Sequence, residues 1–199
     1  MSGGIGNGRA AAILLAEDGC TVVCADLRQE LAQSTVDLIE KDGFGAGMAV
    51  AADVTKAEDC KRLVDATVSK YGRLDILVNN VGIVGPKGTA VEVDMAEFMK
   101  GLEINVASMV QMVKYALPEM KKNEGQWAGS IVNLGSVAGL LGGTPNILYP
   151  TSKGAVVNMT RAMAANHAQD RIRINCVCPG EWFHLLIWRG FFLLPKLVR

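Results

Sequence analysis

The chain carries no formal net charge: its 199 residues include 20 Lys+Arg and 20 Asp+Glu. A protein that holds nucleic acid by electrostatics needs a basic surface, so this balance argues against that class, with local basic patches left open. C-x-x-C spacing is also missing. The cysteines stand at 20, 24, 60, 176 and 178, which argues against a zinc ribbon or a thioredoxin-like motif and predicts no metal site. An odd number of cysteines excludes a framework that pairs every one within the chain. The resulting expectation is reduced, buried thiols in a cytoplasmic protein. Residues 1–8 lack a charged region followed by an apolar stretch, so no secretory signal is read there. Residues 181–199 read EWFHLLIWRGFFLLPKLVR, yet their longest unbroken apolar runs are 185–188 and 191–195. A bilayer span needs about 20 mostly apolar residues, so no membrane span is expected. There is no internal repeat, low-complexity tract or inter-domain linker.

Half the residues are hydrophobic (50%) and 20% are charged, a balance that suits a globular core. At about 100–200 residues per domain, the length predicts one domain. Apolar runs alternate with helical patterns. Strands are predicted at 21–25, 48–52, 74–78, 130–134 and 172–177. Thr55-Lys56-Ala57-Glu58 has the spacing of a capping box and predicts a helix start. Asp94-x-x-Glu97 opens what reads as the longest helix, with apolar positions at Met95, Phe98, Met99, Leu102, Val106, Met109, Val110 and Val113. A further helix is predicted over 149–167. This alternation implies an α/β fold with a parallel sheet covered by helices on both faces.

Ser2-Gly3-Gly4-Ile5-Gly6 precedes a helical apolar pattern. Glycines there let the backbone approach a pyrophosphate at a helix N-terminus. The G-x-G-x-x-G spacing is not met, because Arg9 takes the third position, and a merely flexible start is the competing reading. Asp26 ends the next strand, 22 residues after Gly4, near the offset of the acidic residue that binds an adenosine ribose diol. A carboxylate there repels a 2′-phosphate and favours NAD over NADP, while Arg28 softens that preference. The plainer alternative is a strand-end cap for the following helix.

The sharpest feature is Tyr149-Pro150-Thr151-Ser152-Lys153. Residues four apart share a helix face. A phenol has a pKa of about 10, and a neighbouring cation favours its ionised form. The pair therefore suits proton transfer at an alcohol oxygen. Ser136 stands 13 residues before the tyrosine, just past a strand, where its hydroxyl can hold a substrate oxygen.

Together these segments resemble the short-chain dehydrogenase/reductase family over residues 2–180. Gly4-Ile5-Gly6 is similar to the end of the family's T-G-x-x-x-G-x-G loop, and Asp53-Val54 to its adenine-contacting pair. Asn79-Asn80-Val81-Gly82 resembles N-N-A-G, with Val in place of Ala. Asn105 falls where the family has its active-site Asn. Gly135-Ser136-Val137-Ala138-Gly139 resembles the serine strand end, with Gly135 replacing a first Ser. Tyr149 to Lys153 matches Y-x-x-S-K, and Asn175 to Gly180 matches N-x-V-x-P-G.

The resemblance implies a doubly wound, Rossmann-like fold and hydride transfer between NAD, with NADP as the alternative, and a small alcohol or carbonyl substrate. It implies Tyr149 as acid or base and Lys153 as its electrostatic partner and ribose ligand. Ser136 holds the substrate oxygen, and Asn105 helps hold a relay water. Cofactor contacts are implied at Gly4, Ile5, Gly6, Asp26, Asp53, Val54, Asn80, Val81, Gly82, Tyr149, Lys153, Pro179 and Gly180. The family commonly forms dimers or tetramers, partly through the Asn-bearing and Tyr-bearing helices.

Two departures stand out. Counting back from Gly4, the family's first strand and first Thr-Gly fall before Met1. In the order 3-2-1-4-5-6 that strand is central. Its loss forfeits on the order of 10 kcal/mol of burial, as much as the margin of a whole domain. Either another segment fills the gap or the sheet splits. After Gly180 the family's substrate lid is missing as well. Instead residues 181–199 hold Trp182, Phe183, Trp188, Phe191 and Phe192, in a chain with 3 Trp, 3 Tyr and 5 Phe. A catalytic domain at 1–180 is therefore expected, followed by an atypical segment from a reading-frame shift or a retained intron, or an evolved tail that packs on a partner or membrane surface. An oxidoreductase and a non-catalytic fragment of one both remain open, and the substrate is not legible.

Overall fold

A computed structural model describes residues 6–142 and 144–180. Gly4, Ile5 and the segment 181–199 lie outside the described residues. In chain order the elements are α1 (Asn7–Glu17), β1 (Val23–Asp26), α2 (Gln29–Lys41), β2 (Met48–Ala51), α3 (Ala57–Tyr71), β3 (Ile76–Asn79) and α4 (Met95–Leu102). There follow a π-helical segment (Glu103–Ala107), α5 (Ser108–Met120), β4 (Gly129–Leu134), α6 (Ala138–Leu141), α7 (Leu148–Asn166) and β5 (Ile172–Val177). The alternation read from the sequence is the observed architecture, an α/β fold in which every strand pairing is parallel.

The strands form two sheets. One has the order β1-β2, with Val23 opposite Met48, and the other the order β3-β4-β5, with Ile76 opposite Ser130 and Gly129 opposite Ile172. Of the two outcomes expected, a gap filled by another segment or a divided sheet, the described residues show the divided sheet. Neighbouring strands must lie about 4.8 Å apart to bond, and no described strand stands between β1 and β3. Helices hold the halves together instead. Cys60, Leu63 and Val64 of α3 and Met112, Val113 and Ala116 of α5 share one core with Ile131 of β4 and Ile174 of β5, and Val23 of β1 and Val50 of β2 pack against it. A smaller core joins α1, β1 and α2 through Ala16, Cys24, Val36 and Ile39.

Several local expectations need correction. Helix α3 begins at Ala57, near the position expected, but the capping box does not form: the Thr55 hydroxyl turns away to donate to Asp53 Oδ1 at 2.7 Å. Asp94 does cap α4, accepting from Glu97 N at 2.9 Å. The helical run it opens is the longest, as expected, continuing without a break from Met95 to Met120, but a π-helical segment around Asn105 divides it into α4 and α5. The extra residue shifts the register of the apolar stripe. Met109 and Val113 are buried, whereas Met95, Met99 and Val110 are 61%, 58% and 45% exposed. The thiols also depart from the uniform burial expected: Cys24 and Cys60 are buried, but Cys20, Cys176 and Cys178 are only half so. Burial pushes the Cys24 thiol up to about 11.

The close crossing of α6 and α7 depends on glycine. A Cβ on Gly139 would lie 2.6 Å from both Gly154 N and Lys153 O, closer than real contacts. Because those atoms are backbone, the helices would have to part. Gly139→Ala is expected to destabilise the fold by about 1–3 kcal/mol, visible as a lower denaturation midpoint with an unchanged m-value. An unshifted midpoint would show that the crossing relaxes freely.

Candidate active site

In a parallel sheet, ligands gather beyond the carboxyl ends of the strands, where the strand order reverses. Here β1 leads to Asp26, β2 to Asp53, β3 to Asn80, β4 to Ser136 and β5 to Pro179. An open cleft of about 190 Å³ lies at these ends. Its walls include Asn7, Asn80, Gly82, Leu134, Ser136, Tyr149, Lys153 and Pro179. Residues far apart in sequence thus meet in one place, with Tyr149 and Lys153 on the same side of α7. The Lys153 Nζ lies 5.8 Å from the Tyr149 ring centre.

Lys153 is buried (4% exposed), and its ammonium donates to Leu134 O at 2.7 Å. Burial pushes its pKa below the usual 10.5, and the neighbouring Cys176 and Cys178 counter that shift. Ser136 Oγ accepts from Ala138 N at 3.1 Å, which leaves its own proton free to donate elsewhere. The turn after β4 is held to the segment after β5, since Gly135 N donates to Val177 O and Val137 N to Pro179 O.

Asn105 is fully buried in the π-helical segment. Its side chain is taken up by the loop after β3, with Oδ1 accepting from Ile83 N and Nδ2 donating to Ile83 O, both at 2.8 Å. Nδ2 also donates to Ser152 Oγ at 3.0 Å, and Ser152 Oγ donates to Tyr149 O at 2.9 Å. Asn105 thus clamps the loop to the tyrosine-bearing helix. Gly82 completes the fit: a Cβ there would sit 3.3 Å from Lys153 Nζ and 3.5 Å from Asn105 Oδ1. Sequence reasoning quoted Ser152 only as a motif letter, and it missed Asn7 in the cleft wall. A buried hydroxyl one residue before the lysine was the available signal for Ser152.

Apart from Asn80, the remaining candidates lie outside the cleft wall. Asp26 Oδ1 accepts from Arg28 N at 3.0 Å, a turn closed two residues on; α2 begins without a side-chain cap, so the plainer capping alternative does not form, and the rest of the carboxylate is unengaged by described residues. Hydrogen bonds from the Thr55 hydroxyl and N–H hold the Asp53 carboxyl below its usual pKa. Val54 O accepts from Cys60 Sγ and Gln111 Nε2. Asn80 and Val81 are exposed, and a Cβ on Gly8 would lie 2.5 Å from Asn80 Nδ2. That close approach lets the N-terminus of α1 abut the loop after β3. Gly180, half-buried, follows Pro179.

The profile of the short chain dehydrogenase family matches residues 1–182. An uncharacterised oxidoreductase of Thermotoga maritima is 41% identical over 177 residues, 89% of this chain and 68% of that protein. Meso-2,3-butanediol dehydrogenase of Serratia marcescens is 37% identical over 177 residues, 89% of this chain and 67% of that protein. Among solved structures, a 7α-hydroxysteroid dehydrogenase in complex with NADH and 7-oxo glycochenodeoxycholic acid superposes with a TM-score of 0.81 at 35% identity, over 88% of this chain and 67% of that one. The chain belongs to the short-chain dehydrogenase family, and it spans about two thirds of the length of these relatives.

Proposed function

We propose that the chain is an oxidoreductase that moves a hydride between NAD and the carbinol or carbonyl carbon of a small alcohol or ketone. The observation that carries this reading is the meeting of Ser136, Tyr149 and Lys153 in one cleft at the strand ends of a family member. The relatives named as dehydrogenases, and the neighbour holding NADH with an oxo-steroid, support the same chemistry.

The residues present fit a dinucleotide. The first three N–H groups of α1 have no partner within the helix, whose first bond runs from Ala10 N to Gly6 O. The glycine at position 8 lets that end reach the loop after β3. We assign the pyrophosphate to this end of α1, beside Gly6, with the preceding Gly4 and Ile5 of the sequence motif proposed as further contacts. The adenine goes to Asp53 and Val54, and the nicotinamide half to Asn80, Val81, Gly82, Lys153, Pro179 and Gly180. When bound, the nicotinamide supplies the hydride acceptor or donor. Tyr149 takes the proton from the substrate hydroxyl during oxidation and returns it during reduction. Ser136 donates its free hydroxyl proton to the substrate oxygen. Lys153 places a positive charge beside the phenol and has N–H groups left over from its bond to Leu134 O. Asn105 holds the loop and α7 in register and helps to hold a relay water.

Residues 1–180 are taken as the catalytic unit, with the apolar segment 181–199 outside it. The exposed Met95, Met99 and Val110 on the Asn105-bearing helices support self-association as a dimer or tetramer. Among the described residues no helix is long and apolar enough to cross a membrane. A cytoplasmic location is proposed on the cysteine usage read from the sequence.

The direct test is titration with NADH followed by fluorescence, together with reduction and oxidation assays on ketones and secondary alcohols. Saturable binding with turnover supports the enzyme. The split sheet favours one other reading, a chain that keeps the site's shape without binding cofactor; the absence of both a fluorescence signal and ligand-induced stabilisation would select it. The Asp26 carboxylate is proposed to accept from the ribose diol and to set the preference for NAD. Asp26→Asn is therefore expected to narrow the ratio of NADP to NAD dissociation constants by about tenfold. An unchanged ratio would leave Asp26 with only its turn to Arg28 N.

A further inference from the structure

The geometry points to a paired-thiol site behind the cleft: Cys176 and Cys178 are closed to an intrachain disulfide by a hydroperoxide, and closure weakens dinucleotide binding. The first half stands on the thiols alone; the second rests on the NAD reading given above.

Positions two apart on a strand project to the same side. Cys176 lies in β5 and Cys178 just beyond it, and their sulfurs stand 3.8 Å apart. A disulfide needs about 2.0 Å, so the sulfurs must close by less than about 2 Å. Both thiols are half-buried, within reach of a small oxidant, whereas Cys24 and Cys60 are buried. Space for the pair comes from Gly135, where a Cβ would meet each sulfur at 2.8 Å. The substitution of glycine for the family's first serine, noted in the sequence, thus coincides with the place where two sulfurs press on the strand. Both thiols lie close enough to Lys153 to act on its ammonium electrostatically. Burial opposes ionisation and pushes the Cys176 thiol up.

The chemistry balances. One thiolate attacks a peroxide oxygen, the O–O bond breaks, and a sulfenic acid and water form. The second thiol's sulfur attacks the sulfenic sulfur, the S–O bond breaks, and a second water leaves with the remaining proton. Two thiols lose two electrons in total, and one hydrogen peroxide becomes two waters. The link to the cleft is the peptide between the cysteines. Val177 O accepts from Gly135 N at 2.7 Å, and Pro179 O accepts from Val137 N at 3.0 Å. These two bonds flank Ser136 and hold Pro179 at the cleft. Drawing the sulfurs together tilts the Val177 carbonyl and strains both bonds.

The test uses the full chain with hydrogen peroxide, measuring the cross-link by peptide mass mapping and NADH affinity by fluorescence. The expected result is a Cys176–Cys178 link, a mass lower by two hydrogens, and NADH affinity at least tenfold weaker, all restored by dithiothreitol. Cys176→Ser and Cys178→Ser should each lose the link and leave NADH affinity insensitive to peroxide. Oxidation to sulfinic acid, or pairing of either thiol with another cysteine, overturns the site. A link that forms without changing affinity overturns its coupling to the cleft. If the reduced chain binds no NADH, the NAD reading fails and with it the coupling, while mass mapping still decides the thiol pair.

Discussion

Tyr149→Phe is expected to lower kcat by about 10²–10⁴-fold, the range for a lost general acid–base group, while NADH affinity changes by no more than about twofold. The substitution removes one oxygen and keeps the ring. What α7 needs from this residue structurally is its main-chain carbonyl, which accepts from Ser152 Oγ at 2.9 Å. The bonds of Asn105 to Ile83 and Ser152 are untouched, so the loop after β3 keeps its place. A group that acts only in the transition state lowers kcat and kcat/KM together. Ser136→Ala in the same background should add little further loss, because the two hydroxyls serve one oxygen and act as a unit. Turnover that survives the loss of the phenol would refute the acid–base assignment. A joint loss of turnover and NADH affinity with a lowered melting temperature would point to a damaged helix instead.

How much of this was legible in the sequence varies with the physics of each part. Buried parallel strands are apolar runs, so the strand pattern was visible, and β5 was read at its observed bounds, Ile172–Val177. The parallel α/β class followed from alternation alone, and the doubly wound order from the resemblance. Local hydrogen-bond choices were less visible. Thr55 had two possible partners nearby in sequence, the Asp53 carboxylate and the Glu58 N–H of a capping box, and nothing in the spacing says that its hydroxyl turns back to Asp53. The π-helical segment leaves no mark on a 3.6-residue pattern, because one extra residue in a turn only shifts the stripe. Met95 and Met99, on the turns before it, fit the same apolar stripe as the buried Met109 and Val113 yet stand exposed.

The candidate site divides along the same line. Tyr149 and Lys153 are four apart on one helix, and helix geometry alone brings them together. Ser136 and Asn80 reach the cleft only through the tertiary fold; Ser136 was placed by its spacing from Tyr149 and the end of a strand, Asn80 by resemblance alone. Asn105 was singled out by its position, yet its clamp on Ile83 and Ser152 needs three elements in contact. Cys176 and Cys178 were read as inert core. Their spacing placed them on one strand face, but the 3.8 Å between the sulfurs and the glycine beneath them are tertiary facts.

Lys153→Met should separate function from stability, with turnover falling by about 10²–10³-fold, as for the loss of one preorganised charge, while the folded state gains on the order of 1 kcal/mol at neutral pH. The lysine is buried with no carboxylate partner among its hydrogen bonds; Leu134 O is its acceptor. Desolvation is the leading cause of its lowered pKa, so the folded state holds this ammonium at a cost that the unfolded chain avoids. Methionine keeps the length and removes the charge. Leaving Leu134 O without its donor offsets part of the gain. The pH dependence fixes the sign. Below the lowered folded pKa, lysine is protonated in both states and the cost is full. Between that value and 10.5 the unfolded chain binds a proton that the folded chain has released, so stability rises with pH; above 10.5 the cost is gone. Other groups titrate in the same range, so the measurement is the difference between wild type and variant, followed by denaturant unfolding as pH is raised. The advantage of the variant should shrink steadily toward 10.5. A variant less stable than wild type at neutral pH, or an advantage that does not change with pH, would mean that the buried ammonium is held without penalty, and that its place beside Tyr149 costs the fold nothing.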